Sequence, residues 1–386
     1  GGKWFCLGHD QIRCLPESVV VFAHLTMKSY RNLFPDIIDF ANLHAAFRRA
    51  RRGKRARPEV AAFGYDLEEN LFQLQAELRD GVYRPGAYRN FYVRERKVRL
   101  ISAAPFRDRV VHHALCAVID PPLEARYIFD VYACRVGKGT HRALDRCQQF
   151  SRRYPYVLQC DVHQFFPAID HAILRAKLAH LIADDCVLAL VDQILASGAG
   201  VLAPVYTPEW FVGDDLLTPL ARPRGLPIGN LTSQTWANFY LNSLDHFVKR
   251  ELKCPGYVRY CDDFLLFGDD KGALHAWKTG VEEHLHGLRL SLNFHKAQVY
   301  PVRTGVPFLG FRVYPTHRRL RADNVRLARR RLHRQRVLLL AGQLTHARFQ
   351  ESLRAWIAHA SHADTWRLRR RLLAEMKFSR RMQTNR

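Results

Sequence analysis

No stretch of the 386 residues stays apolar for anything near the roughly 20 positions that a membrane-spanning helix requires, so no membrane partner is expected. The nine cysteines (6, 14, 116, 134, 147, 160, 186, 254 and 261) never fall in a CxxC pair. That spacing excludes the usual zinc site and suggests no disulfide framework, and the cysteines read as reduced thiols of a cytoplasmic protein. The first 26 residues lack both a basic start and a small-residue cleavage site, so no secretory signal is expected. Met27 opens an ordinary-looking amino terminus, MKSYRNLF, and residues 1–26 read as an extension of uncertain status before it. Internal repeats and low-complexity linkers are missing as well.

Acids are scarce. Asp and Glu total 36 against 60 Lys and Arg, a net charge of +24 and an isoelectric point near 10.0. This exceeds what solubility requires and points to a polyanionic partner, RNA or DNA, bound with a steep salt dependence because each neutralised phosphate releases a counterion. An anionic membrane surface is the competing reading.

What is present suits a globular chain: 48% of residues are hydrophobic, enough to bury a core in one folded unit of two or three subdomains. Leu67, Leu71, Leu74 and Leu78 recur with helical spacing, after a basic run RRARRGKRARP (48–58) that reads equally as a solvated loop or an RNA contact. Between Tyr83 and Ser102, Phe91, Val93, Val98 and Leu100 roughly alternate among Arg94, Arg96, Lys97 and Arg99. The pattern predicts a positively charged hairpin, a natural lid over phosphates. Two β-type runs follow, YVLQCDVH (156–163) and GYVRYCDDFLLF (256–267), separated by helical stretches at 172–196 and 233–253. That order predicts an α+β domain. Residues 312–336 hold ten arginines and one acid, Asp323, and Leu353, Trp356, Ile357 and Ala360 then recur on one helical face. The tail reads as a basic helical module, with His346, His359 and His362 as surface residues.

The chemistry concentrates in three acids. Asp262 and Asp263 interrupt an apolar strand, where carboxylates are costly unless a cation or hydrogen bonds compensate them. Alternation would point them to opposite faces, so a tight turn at the pair is needed for both to reach one site. The plain alternative is an ordinary acidic turn. Asp161 ends the other strand, before the chain must turn ahead of a helix that Asp170 is suited to cap. Hard oxygen ligands without a His or Cys cluster suit Mg²⁺, or Mn²⁺ as a substitute. Two such ions about 4 Å apart would activate a primer hydroxyl and stabilise leaving pyrophosphate.

The ordered set CDVHQFFPAIDH (160–171), GLPIGNLTSQTWANFYLN (225–242), YVRYCDDFLLFG (257–268), LSLNFHKAQVY (290–300) and FLGF (308–311) resembles motifs A to E of bacterial reverse transcriptases. With KVRLIS (97–102) and RDRVVHHAL (107–115), the resemblance runs from Met27 to about Met376. It implies a right-hand polymerase fold: fingers and the start of the palm over 27–155, a palm of antiparallel sheet and helices over 156–311, and a basic helical thumb over 312–386. It further implies Asp161, Asp262 and Asp263 as metal ligands, and Phe166 as the aromatic that closes on the sugar's 2′ position and favours deoxynucleotides over ribonucleotides. Lys97 and Arg99 would grip the triphosphate; Val162, Ile228, Gly229 and Gln234 would complete the nucleotide site. Lys296 matches a lysine held to protonate pyrophosphate, against the simpler reading of an exposed helix-end lysine. The implied partners are a template RNA, a DNA or RNA primer and deoxynucleoside triphosphates.

One departure narrows the resemblance. Most of these enzymes carry glutamine before the motif B glycine and proline after its serine, whereas this chain reads Ile228-Gly229-Asn230-Leu231-Thr232-Ser233-Gln234. The pattern resembles that of diversity-generating retroelements, members of the group II intron-like reverse transcriptases, which work with an accessory variability protein and err mainly at template adenines. Replacing the glutamine removes an orienting hydrogen bond worth on the order of 1 kcal/mol, which loosens discrimination without abolishing catalysis. Other readings remain: an antiphage defence or other retroelement polymerase, an RNA-binding intron maturase, or, against Phe166, an RNA-dependent RNA polymerase.

Overall fold

The computed structural model describes residues 29–94 and 98–375. The extension 1–26, Lys97 and the last residues of the expected thumb lie outside them. The helical first part comprises α1 (Phe34–Ile38), α2 (Phe40–Ala50), α3 (Pro58–Tyr65) and α4 (Leu67–Arg79). Asp39 starts α2 by accepting a hydrogen bond from Asn42 N, and Pro58 occupies the first turn of α3, where its missing N–H costs nothing. The basic run ends α2 and forms the turn before α3. Leu71, Leu74 and Leu78 are buried as the helical period requires. The basic hairpin forms as expected, β1 (Arg89–Arg94) pairing with β2 (Val98–Ala103) in antiparallel register. It leads into the buried helix α5 (Phe106–Glu124) and then α6 (Thr140–Arg153).

The central sheet begins with β3 (Tyr156–Asp161). Helices α7 (Phe165–Ala168), α8 (His171–Ala179), α9 (Asp185–Gly198), α10 (Thr218–Ala221), α11 (Leu231–Tyr240) and α12 (Asn242–Arg250) precede β4 (Gly256–Tyr260) and β5 (Asp263–Gly268). Then come α13 (Lys271–Gly287) and β6 (Gln298–Pro301), and the four strands order as β4-β5-β3-β6, all antiparallel. Asp170 caps α8, accepting from Ile173 N at 3.0 Å, while the short α7 was not legible in the sequence.

These strands read as continuous apolar runs because both faces are covered. Alternate residues enter two different cores: Leu158, Cys160, Phe264 and Leu266 pack on one side, and Val157, Val258, Leu265 and Phe267 on the other. The architecture is mixed α+β.

A second small sheet, β7 (Val306–Phe308), β8 (Phe311–Val313) and β9 (Arg318–Leu320), connects to α14 (Ala322–Leu340), α15 (His346–Ala360) and α16 (Trp366–Glu375). The three helices enclose their own core around Leu332, Phe349, Trp356, Ala360 and Leu372. Arg326, Arg329, Arg330, Arg331 and Arg334 stay exposed on α14, so the basic face expected of this module is present. His346 and His362 are exposed as expected, but His359 is half-buried, its ring 4.9 Å from that of Phe311, and the His362 ring stacks on that of His141. Among the described residues no helix is long and apolar enough to cross a membrane.

Candidate active site

Strand pairing brings the three acids together. Asp161 and Asp263 are direct partners in the β3–β5 register, so their side chains leave the same face of the sheet. Cys261 and Asp262 form the turn between β4 and β5, with Cys261 in the left-handed region at φ 58°. This is the tight turn the adjacent acids require. The Asp262 carbonyl accepts from Val162 N at 3.2 Å, which ties the hairpin tip to the residue after Asp161.

The cluster is short of positive charge. Burial first, then the neighbouring Asp262 and Asp161 carboxylates, raise the Asp263 carboxyl well above the ordinary carboxylate range, and Asp263 is hydrogen-bonded to Asp161. Burial and Asp161 likewise raise Asp262. The cation beside them is Lys296, whose ammonium lies 2.6 Å from Asp161 Oδ2. It sits in a turn before β6, which corrects the simpler reading of a helix-end lysine; the turn starts where Asn293 N donates to the Asp161 carbonyl at 2.7 Å. Three crowded carboxylate groups whose ionised forms repel one another are a donor set that suits a divalent cation. Among the described residues, however, no three His, Cys, Asp or Glu side chains are already arranged in metal-ligand geometry. The donor chemistry fits an ion, and Lys296 supplies positive charge at Asp161.

The residues expected at the nucleotide site lie just after β3, on α7, on α11 and the turn before it, and on the basic hairpin. Gln164 adopts a left-handed conformation (φ 42°), its side chain accepts from Thr207 N, and the chain then enters α7. Phe166, half-buried on α7, accepts from Leu226 N through its carbonyl at 2.9 Å, so the aromatic and the Ile228 turn are held together. Ile228 is half-buried and its carbonyl accepts from Ser102 N at 2.9 Å, which joins this turn to the basic hairpin. Gly229 has φ 117°, a conformation that favours glycine, and a Cβ there would come within 3.1 Å of Ile101 Cγ2, a tight approach. Gln234 and Arg99 are exposed, Val162 is buried, and Lys97 lies outside the described residues.

Asn230 escaped the sequence reading. It is buried; its Nδ2 donates to the Ser102 and Pro227 carbonyls at 2.9 and 3.0 Å, and its Oδ1 accepts from Ala104 N at 3.2 Å. A polar residue between glycine and a helix suggests an N-cap, and Asn230 occupies that position of α11. Its side chain makes no cap bond and reaches across to β2 instead.

A strand-end acid, a turn acid pair and a lysine converge on one face, and a family model for reverse transcriptase (RNA-dependent DNA polymerase) matches residues 90–313, more than half of the chain. The chain belongs to the reverse transcriptase family. This family uses a divalent metal and acts with template nucleic acid and nucleotides. Protein YkfC of Escherichia coli (strain K12) is 24% identical over 289 residues, 64% of this reverse transcriptase and 72% of that protein. The group II intron-encoded protein LtrA of Lactococcus lactis subsp. cremoris is 24% identical over 184 residues, 47% of this chain but 28% of its own length. Nuclear intron maturase 1, mitochondrial, of Arabidopsis thaliana is 29% identical over 102 residues, 26% of this chain and 14% of that protein. The match thus spans only a minor part of both intron-related proteins.

A divalent cation bound here would supply Lewis acidity and neutralise charge on a transferring phosphoryl group. The chain's own groups set the geometry: the acids converge, the Phe166 carbonyl is tied to Leu226 beside the Ile228 turn, and the Lys296 ammonium contacts Asp161.

Proposed function

We propose that this chain copies a template RNA into cDNA by extending a primer with deoxynucleoside triphosphates, using two Mg²⁺ ions held by Asp161, Asp262 and Asp263, with Mn²⁺ as a possible substitute. In this reading residues 27–155 form the fingers and the start of the palm, 156–311 the palm and 312–386 the thumb. Lys97 and Arg99 grip the triphosphate, and Phe166 excludes the 2′-hydroxyl. We further propose that copying is error-prone and serves diversity generation with an accessory variability protein. The observation carrying this is Ile228: its carbonyl is engaged by Ser102 N, and its side chain offers a nucleotide shape but no hydrogen bond. Extension of a defined RNA template followed by sequencing tests it. Misincorporation should concentrate at template adenines, and Ile228→Gln should reduce it several-fold. Faithful copying of adenines by the native chain would refute diversity generation while leaving the polymerase reading intact.

The intron-related names of two relatives favour a second reading, an RNA-binding maturase in which polymerisation is secondary. Intron splicing that survives Asp262→Ala while DNA synthesis is lost would select it.

A further inference from the structure

Behind the Cys261–Asp262 turn lies a guanidinium with no exposed surface. Arg259, on β4, directs its Nε and Nη2 to the two carboxylate oxygens of Asp245 on α12, each at 2.6 Å. Its Nη1 donates to Asn238 Oδ1 at 2.9 Å and to the Cys261 carbonyl at 3.1 Å, and Nη2 donates to the Asn238 carbonyl at 3.1 Å. All five guanidinium donors therefore have acceptors. Tyr257 completes the network by donating to Asp245 Oδ1 at 2.8 Å, and Asn238 Nδ2 donates to the Ala133 carbonyl at 3.1 Å.

For packing alone this arrangement is expensive, because an apolar pair of similar volume fills such a space without desolvating two charges. What the charged fork adds is direction. It reaches the carbonyl of Cys261, a non-glycine residue held at positive φ, a conformation that persists only where its surroundings enforce it. The same Nη1 and also Nη2 reach Asn238 on α11, the helix that carries Gln234 and follows the Gly229 turn.

We infer that Arg259 is a positioning residue for polymerisation: its guanidinium fixes the Cys261 carbonyl, and with it the Asp262–Asp263 turn, in register with helix α11. Arg259 acts through the turn and reaches the reacting atoms only indirectly. A displacement of about 1 Å at a reacting group can cost on the order of 100-fold in rate, so the register of this turn bears on turnover more than on binding.

The test is a variant that removes both charges together, Arg259→Met with Asp245→Leu and Tyr257→Phe, so that no buried group loses its partner at Asp245. Because Asn238 Oδ1 and the Asn238 and Cys261 carbonyls lose their Arg259 donors, the variant is expected to melt below the native protein while remaining folded and binding a template–primer duplex equally well. Nucleotide KM should stay within about twofold while kcat falls about 30- to 100-fold. A folded variant with near-native kcat, or one whose loss lies in KM, overturns the proposal. If the triple variant does not fold, Arg259→Lys decides: it keeps the buried charge but cannot span the same acceptors. A kcat reduced about tenfold at unchanged KM supports the positioning role, and native turnover refutes it.

Discussion

The ammonium of Lys296 lies 2.6 Å from Asp161 Oδ2, in a turn whose first residue is pinned to the backbone of the same aspartate. One side chain therefore contacts a carboxylate of the acid cluster, and its proposed role as a proton donor can be tested directly. Lys296→Met should lower kcat by about 100-fold in single-nucleotide extension, with nucleotide KM unchanged, the scale expected for a lost general acid. Lys296→Arg should recover little, because a guanidinium keeps the charge but does not release a proton. Full recovery would reduce Lys296 to a counter-charge.

Asp161→Asn and Asp262→Asn should each depress primer extension by at least about 1000-fold while leaving duplex affinity, measured by fluorescence anisotropy, within a few-fold of native. Chelation should abolish extension reversibly, with Mg²⁺ or Mn²⁺ restoring it. Retained extension in either variant would remove that residue from the metal-binding set.

Asn230→Ala should destabilise the chain by about 2 kcal/mol, because the Ser102 and Pro227 carbonyls and Ala104 N lose buried partners. Gly229→Ala should cost about 1–2 kcal/mol through its positive φ and the 3.1 Å approach to Ile101 Cγ2. Denaturant unfolding reads both, and both should also raise nucleotide KM, since they loosen the turn that holds Ile228. Unchanged KM would separate the turn from the nucleotide site.

Asp120, on α5, is pushed up to about 6 mainly by burial, against a hydrogen bond from Thr235 that lowers it. Its folded pKa lies above the usual 3.8, so the folded state binds more protons between those values and stability falls as pH rises through that window. Asp120→Asn should therefore raise Tm by about 2 °C at pH 7, with the gain disappearing at and below about pH 4. A gain that persists at low pH would place its origin elsewhere than in the charge.

Strands, hairpin and acid pair were legible in the sequence because each is a local property. Alternation of Phe91, Val93, Val98 and Leu100 announced the hairpin, and an Asp-Asp interruption of an apolar run announced a turn. The three acids and the basic face of α14 stood out by residue type and order, whereas Gly229 and the acids' metal-binding role were singled out only by the resemblance to reverse transcriptases. The tertiary structure decided which distant groups meet: Asp263 opposite Asp161, Lys296 on Asp161, Asn230 across to Ser102, and Arg259 reaching both Asp245 and the Cys261 carbonyl. No local pattern encodes those pairings. The first two arise because β3 is hydrogen-bonded between β5 and β6; Asn230 meets the separate β1–β2 hairpin, and Arg259 on β4 meets α11 and α12, so each buried polar side chain finds its partner on a segment far away in the chain.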